Sequence, residues 1–122
     1  LINLSGVSVL SLQKDGGAAD LAAHGADAVV DPTGDLMDFA ATAALVANLD
    51  VVVTCDTAVG HLAGALGRPV VMLLPHVPEW RWLLEREDTP WYPTMRLIRQ
   101  PAPGDWSGAV DQAAKYIRRH WL

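Results

Sequence analysis

Short apolar runs alternate with amphipathic stretches along the chain. Residues 7–12 are apolar and partly β-branched, and Gln13-Lys14-Asp15-Gly16-Gly17 then interrupts them with polar and turn residues, which predicts a strand followed by a loop. Residues 18–24 are alanine-rich and stop at Gly25, as a short helix with a glycine cap should. Residues 28–30 predict a second strand and Asp31-Pro32-Thr33-Gly34-Asp35 a loop. Over 36–49 the apolar Phe39, Ala43, Val46 and Ala47 recur every three to four residues, the period of an amphipathic helix. A strand over 50–54 follows directly.

Residues 57–66 predict a helix with Thr57 as N-cap, Gly67 as its stop and Pro69 as a block to continuation. A fourth strand occupies 69–74. A Pro- and Trp-rich segment then runs to Pro93, with a turn or two of helix at 80–86, before a strand at 95–99. The chain closes on a helix over 105–121, whose Lys115, Arg118 and Arg119 sit near the C-terminus, where the macrodipole favours cations. Valine-rich strands without polar alternation suit a sheet covered on both faces, and strands alternating with helices suit parallel pairing through right-handed crossovers. The fold class is α/β, with a mostly parallel sheet and helices on both faces.

Composition narrows the function. The 122 residues fit a single domain spanning 1–122, and 9 basic against 14 acidic side chains give a net charge of −5, which speaks against a nucleic-acid footprint. Asp50, Asp56 and Arg68 break up the apolar stretches before any reaches the roughly 18 residues of a membrane span. Cys55 is the single cysteine and leaves no internal disulfide, so a cytoplasmic setting is expected. The first residue is Leu, and residues 1–6 read as a helix end capped by Gly6, so a piece of a longer protein is expected.

In open parallel α/β sheets, ligands sit beyond the carboxyl ends of strands, where helix N-termini present free amides. The richest such place is Cys55-Asp56-Thr57-Ala58-Val59-Gly60-His61. Thr57 can cap the helix or give its hydroxyl to a phosphoryl oxygen, Gly60 permits close approach, and His61 on the first turn can donate to an anion. The bland alternatives are a cap for Asp56, a hydrogen-bonded surface ring for His61, and tight helix-to-sheet packing for Gly60 and Gly64, each of which otherwise costs about 1 kcal/mol relative to Ala inside a helix. Neither a Walker A loop nor a Gly-x-Gly-x-x-Gly fingerprint is present.

The run from Asp56 to Val70, Asp-Thr-Ala-Val-Gly-His-Leu-Ala-Gly-Ala-Leu-Gly-Arg-Pro-Val, resembles the Asp-Ser/Thr-x-x-x-His-Leu-Ala-x-x-Leu-Gly-x-Pro signature of the heptosyltransferase-like glycosyltransferases of family 9, in their C-terminal, nucleotide-sugar-binding half. The stretches 11–14, 38–45, 80–84 and 89–93 are similar to the branch of that group often fused to tetratricopeptide repeats. The resemblance implies one Rossmann-like half of a GT-B fold, here lacking its first strand, with transfer at the anomeric carbon by inversion or retention and no bound metal or cofactor. It implies that Asp56, Thr57, Ala58, Val59, His61 and the Gly60 backbone meet the diphosphate and sugar of the donor, and that Lys14 offsets phosphate charge. Position 60 is Gly where related sequences often carry Ala. The acceptor-binding N-terminal half, which usually supplies the catalytic base, is the implied missing partner, so the stretch is not expected to catalyse by itself. A non-catalytic α/β interaction module with a degenerate nucleotide site is the alternative.

Weaker constellations are set aside. Cys55 beside Asp56 and His61 reads as a small buried hydrophobe rather than a thiol nucleophile. His76 and Glu79 are two metal ligands without a third. Trp80 and Arg81 read as a packed ring and a salt bridge in preference to contacts with a base or sugar, and His24 and His120 as surface residues. With the family's first strand missing, strands 7–12 and 50–54 are expected either to pair directly or to be completed by another chain, as in a homo-oligomer.

Overall fold

The computed structural model describes residues 1–14, 17–24 and 26–122. Asp15, Gly16 and the expected Gly25 cap lie outside the described residues, as does the side chain of His24. The chain divides into two compact units, Leu1–Thr42 and Ala43–Leu122. The first holds a parallel pair, β1 (Val9–Leu10) and β2 (Val29–Val30), with α1 (Gly17–His24) between them in sequence. Both strands are shorter than the apolar runs that predict them. Gly6 has φ 84°, but it closes a turn and not a helix.

Helix α2 (Phe39–Val46) carries the boundary between the units. It begins later than its apolar period predicts because Asp38 caps it: Asp38 Oδ1 accepts from the Ala41 amide at 2.8 Å. Its buried positions are Thr42 and Val46, one turn apart, while Phe39 is 65% exposed and Ala47 is exposed too. Of the Phe39-Ala43-Val46-Ala47 stripe, Val46 is therefore buried and Ala43 half-buried, while Phe39 and Ala47 lie off the buried face.

The second unit is a parallel three-stranded sheet in the order β3 (Val52–Cys55), β4 (Val70–Leu74), β5 (Met95–Arg99). Val52 pairs with Val70 and Val70 with Met95, and the register runs on to Cys55 opposite Leu73. All five β4 residues are buried, so both faces of the central strand are covered. Burying side chains of this size contributes about 1.5–3 kcal/mol each, which places the core on β4. Helices α3 (Ala58–Ala65) and α4 (Trp106–Trp121) both pack against that strand. Strand 7–12 pairs with β2 and strand 50–54 with β4, so the direct pairing expected of the two does not occur. Each instead joins its next strand in sequence, the shortest loop closure open to it.

The ends of α3 follow from its sequence. Gly67 takes φ 68°, its amide bonds to Gly64 O at 3.0 Å and that of Arg68 to Ala63 O at 3.0 Å, and Pro69 then leads into β4. That is the paired-bond glycine stop expected at a helix C-terminus. Helix α4 starts at Asp105, whose carboxylate accepts from the Gly108 amide at 2.9 Å, and buries Ala109, Ala113 and Ile117 at four-residue spacing.

Candidate functional site

Strand β3 ends at Cys55, and the next two residues turn the chain into α3. Thr57 is the N-cap, with extended backbone (φ −137°, ψ 167°), yet its side chain caps no amide. Thr54 Oγ1 donates to Cys55 O at 3.0 Å and lies 3.0 Å from Thr57 Oγ1. Thr54 has one hydroxyl proton and a carbonyl only accepts, so Thr57 is the donor between the two hydroxyls. The Ala58 and Val59 amides lie in the first turn and have no intrahelical acceptor.

Asp56 is not a cap. Its Oδ1 lies 3.1 Å from His61 Nε2, and its Oδ2 accepts the Trp82 indole N–H at 2.9 Å. His61 Nδ1 lies 3.0 Å from the Tyr92 hydroxyl. Both ring nitrogens of His61 are thus engaged by protein groups, and both carboxylate oxygens of Asp56 face a donor. Trp82 also stacks on the imidazole, with ring centroids 5.6 Å apart and 27° between planes, and Tyr92 meets it edge-on at 5.7 Å and 65°. Side-chain exposures of 32% for His61 and 24% for Asp56 leave the pair accessible from one side.

The two helix glycines explain how these groups fit. A Cβ on Gly60 would stand 2.6 Å from Met72 Cε and 3.0 Å from Thr54 Cγ2, so this glycine serves helix-to-sheet packing. A Cβ on Gly64 would stand 2.6–3.0 Å from three atoms of the Tyr92 ring, so Gly64 is what lets Tyr92 lie on α3 and reach His61.

Among the expected site residues, Asp56, Thr57, Ala58, Val59, Gly60 and His61 come together at the β3–α3 junction of the second unit. Lys14 belongs to the first unit, where its ammonium donates to the Leu36 carbonyl. Trp82 and Tyr92 were not among the expected site residues. Tyr92 lies in Thr89-Pro90-Trp91-Tyr92-Pro93, where two prolines fix the chain, and Trp82 is 1% exposed while Trp80 is 80% exposed. The packed ring is therefore Trp82 and not Trp80, although Arg81 does pair with Glu79 as expected.

Cys55 is exposed and not a buried hydrophobe, as the last residue of β3 at the edge of the sheet. Partial burial still pushes its thiol above the usual range, and His61 is engaged elsewhere, so no base among the described residues activates a thiolate. His76 is tied to buried Gln100, its amide to Oε1 at 3.1 Å and its Nδ1 to the carbonyl at 3.0 Å, and no metal-ligating cluster occurs among the described residues. His120 is exposed, as expected. None of the described helices is long and apolar enough to cross a membrane.

The arrangement offers a helix N-terminus whose first-turn amides have no intrahelical acceptor and so favour an anion, beside an imidazole held by Asp56 and Tyr92. Comparison with known proteins gives this a context. Residues 18–95 match the family model for glycosyltransferase family 9 (heptosyltransferase). Protein FlbA of Caulobacter vibrioides is 35% identical over 89 residues, which cover 73% of this chain but 14% of that protein, so the chain spans a small part of its relative. No solved structure matches. With the signature residues gathered at one strand end and the family model covering most of the chain, the protein belongs to glycosyltransferase family 9, the heptosyltransferase family.

Proposed function

We propose that the chain is the donor-binding half of a GT-B glycosyltransferase, taking a nucleotide-diphosphate sugar at the N-terminus of α3. The observation that carries this reading is the placement of Asp56, Thr57 and His61 on one helix start at the carboxyl end of a parallel strand. As the glycosidic bond to the leaving diphosphate breaks, negative charge builds on the phosphate oxygens, and fixed amides with a positioned imidazole stabilise it where it forms. In this reading the Ala58 and Val59 amides meet the diphosphate, the Thr57 hydroxyl turns to it from Thr54 Oγ1, and no metal or cofactor is called for. The acceptor site and catalytic base belong to a separate N-terminal half, tetratricopeptide repeats accompany the enzyme, and its setting is the cytoplasm. A second copy or a further segment of the chain completes the sheet beside β3, which is an edge strand.

One observation favours the alternative of a non-catalytic interaction module: both His61 nitrogens already have protein partners. Calorimetric titration with ADP, GDP and UDP and their sugars separates the two. The donor reading expects binding of one of them, weakened by about 1–3 kcal/mol in Asp56→Ala or His61→Ala, the scale of a charged hydrogen bond. Unchanged affinity in both variants, or no binding at all, overturns it.

A further inference from the structure

We propose that Trp82 and Tyr92 are positioning residues that hold His61 in one tautomer and one orientation for the donor, an inference that rests on the reading of α3 as a nucleotide-diphosphate site. The hydrogen-bond chemistry fixes the direction of each bond. An indole N–H only donates, so Asp56 Oδ2 is the acceptor of Trp82. A carboxylate only accepts, so Asp56 Oδ1 takes the proton of His61 Nε2. In the neutral ring Nδ1 is then the bare nitrogen, and the Tyr92 hydroxyl donates to it across 3.0 Å. Trp82 acts through Asp56 by holding its carboxylate and directly by stacking on the ring. Tyr92 acts only because Gly64 leaves room for its ring.

Both positioning residues come from the segment between β4 and β5, outside the Asp56–Val70 signature. Two hydrogen bonds and two ring contacts leave the imidazole no freedom to rotate about its Cβ–Cγ bond without breaking several at once. A ring held in this way needs no reordering when an anion arrives at the neighbouring amides, and such preorganisation is where the affinity gain lies. Binding of an acceptor-only phosphate oxygen at Nδ1 itself would require a second proton on the ring, so the neutral ring supports the anion by position and by its edge, with the amides as the donors.

The test uses the whole chain labelled with nitrogen-15 in histidine. The parent is expected to show His61 as a single Nε2–H tautomer with a hydrogen-bonded Nδ1. Tyr92→Phe keeps the ring over Gly64 and deletes the hydroxyl; the Nδ1 resonance should move to that of a nitrogen without a donor, and affinity for whichever of ADP, GDP and UDP binds the parent should fall about 2- to 10-fold, one neutral hydrogen bond's worth. Trp82→Phe keeps an aromatic ring and frees Asp56 Oδ2, and the His61 Nε2 proton should exchange faster. Trp106→Phe, at a ring 41% exposed at the start of α4, should change neither signal. An unchanged Nδ1 resonance in Tyr92→Phe overturns the positioning role, and so does a moved resonance with unchanged nucleotide affinity. A parent that binds none of the three nucleotides overturns the donor reading instead, while its nitrogen spectra still decide whether the ring is held as described.

Discussion

Gly64→Ala sets two known effects against each other at one atom. In an ordinary helix interior, alanine is favoured over glycine by about 1 kcal/mol, so the substitution should stabilise α3. Here the new Cβ would stand 2.6 Å from Tyr92 Cγ, 2.8 Å from Cδ1 and 3.0 Å from Cδ2, and a rigid ring cannot yield one atom at a time. Forcing a packed ring aside costs about 1–3 kcal/mol, and its hydroxyl leaving His61 costs about 0.5–1.5 kcal/mol more. The balance is a net loss on the order of 1–3 kcal/mol. Gly60→Ala is the internal control: its nearest contact is the terminal methyl of Met72, the far end of a flexible side chain, and the variant should stay within about 1 kcal/mol of the parent. Urea unfolding followed by tryptophan fluorescence measures both. Combining Gly64→Ala with Tyr92→Ala should cost less than the two changes added, since the ring that the methyl displaces is gone. If Gly64→Ala is more stable than the parent by about the ordinary 1 kcal/mol, Tyr92 does not sit on α3 and the account of His61 falls with it.

Further outcomes follow from the same structure. Asp105→Ala removes the acceptor of the Gly108 amide and should lower stability by about 1 kcal/mol, read as a shifted urea midpoint; an unchanged midpoint would show that the cap is idle. Burial raises the Cys55 thiol, so at neutral pH its thiolate fraction is below that of an ordinary cysteine, and the folded state loses stability as pH rises through the unfolded-chain value of about 8.5. Iodoacetamide labelling of the folded chain should therefore have its rate midpoint above that of the urea-unfolded chain, and equal midpoints would contradict it. Leu83 has φ 59° and ψ −170°, a region that costs a side chain about 1–3 kcal/mol and costs glycine almost nothing. Leu83→Gly should be more stable than Leu83→Ala, the reverse of the usual order, and the usual order would show the backbone to be relaxed.

Most of the second unit was legible in the sequence because its signals are local. Valine-rich runs mark β3 and β4, Gly67 and Pro69 stop α3 where they should, and Asp105 starts α4. The signature residues were likewise readable, since six successive positions, Asp56 to His61, share one helix start. What stayed hidden was whatever depends on contacts distant in sequence. Spacing alone gives no sign that Asp56 bonds a tryptophan 26 positions away, or that His61 meets a tyrosine 31 positions away. Gly64 looked like a packing glycine, and only the fold shows which ring packs there. In α2 the apolar period was real but weak, because alanines carry little burial energy, and the Asp38 cap with Thr42 and Val46 set the helix instead.

The connection from β4 to β5 explains why the site depends on a segment outside the signature. Parallel strands need a crossover, usually a helix that satisfies its own backbone. Residues 75–94 contain one short 3₁₀ turn, Trp80–Trp82, and prolines at 75, 78, 90 and 93 that lack an amide proton and resist helix formation. An irregular crossover needs partners from elsewhere for its polar backbone, and β5 with its flanks supplies them. The Arg99 guanidinium donates to the carbonyls of Trp82 at 2.7 Å and Leu83 at 3.0 Å and also to that of Arg86, and the Leu97 amide donates to Glu87 O at 2.7 Å. At the start of the segment buried Gln100 receives the His76 amide. These anchors fix the strained turn at Leu83 and, through it, the inward side chain of Trp82 beside the outward Leu84. The guanidinium is thereby coupled to the imidazole through Trp82 and Asp56, with no contact of its own to His61 among the described bonds. The signature supplies the anion-facing groups, and the crossover, braced by β5, sets how firmly they are held.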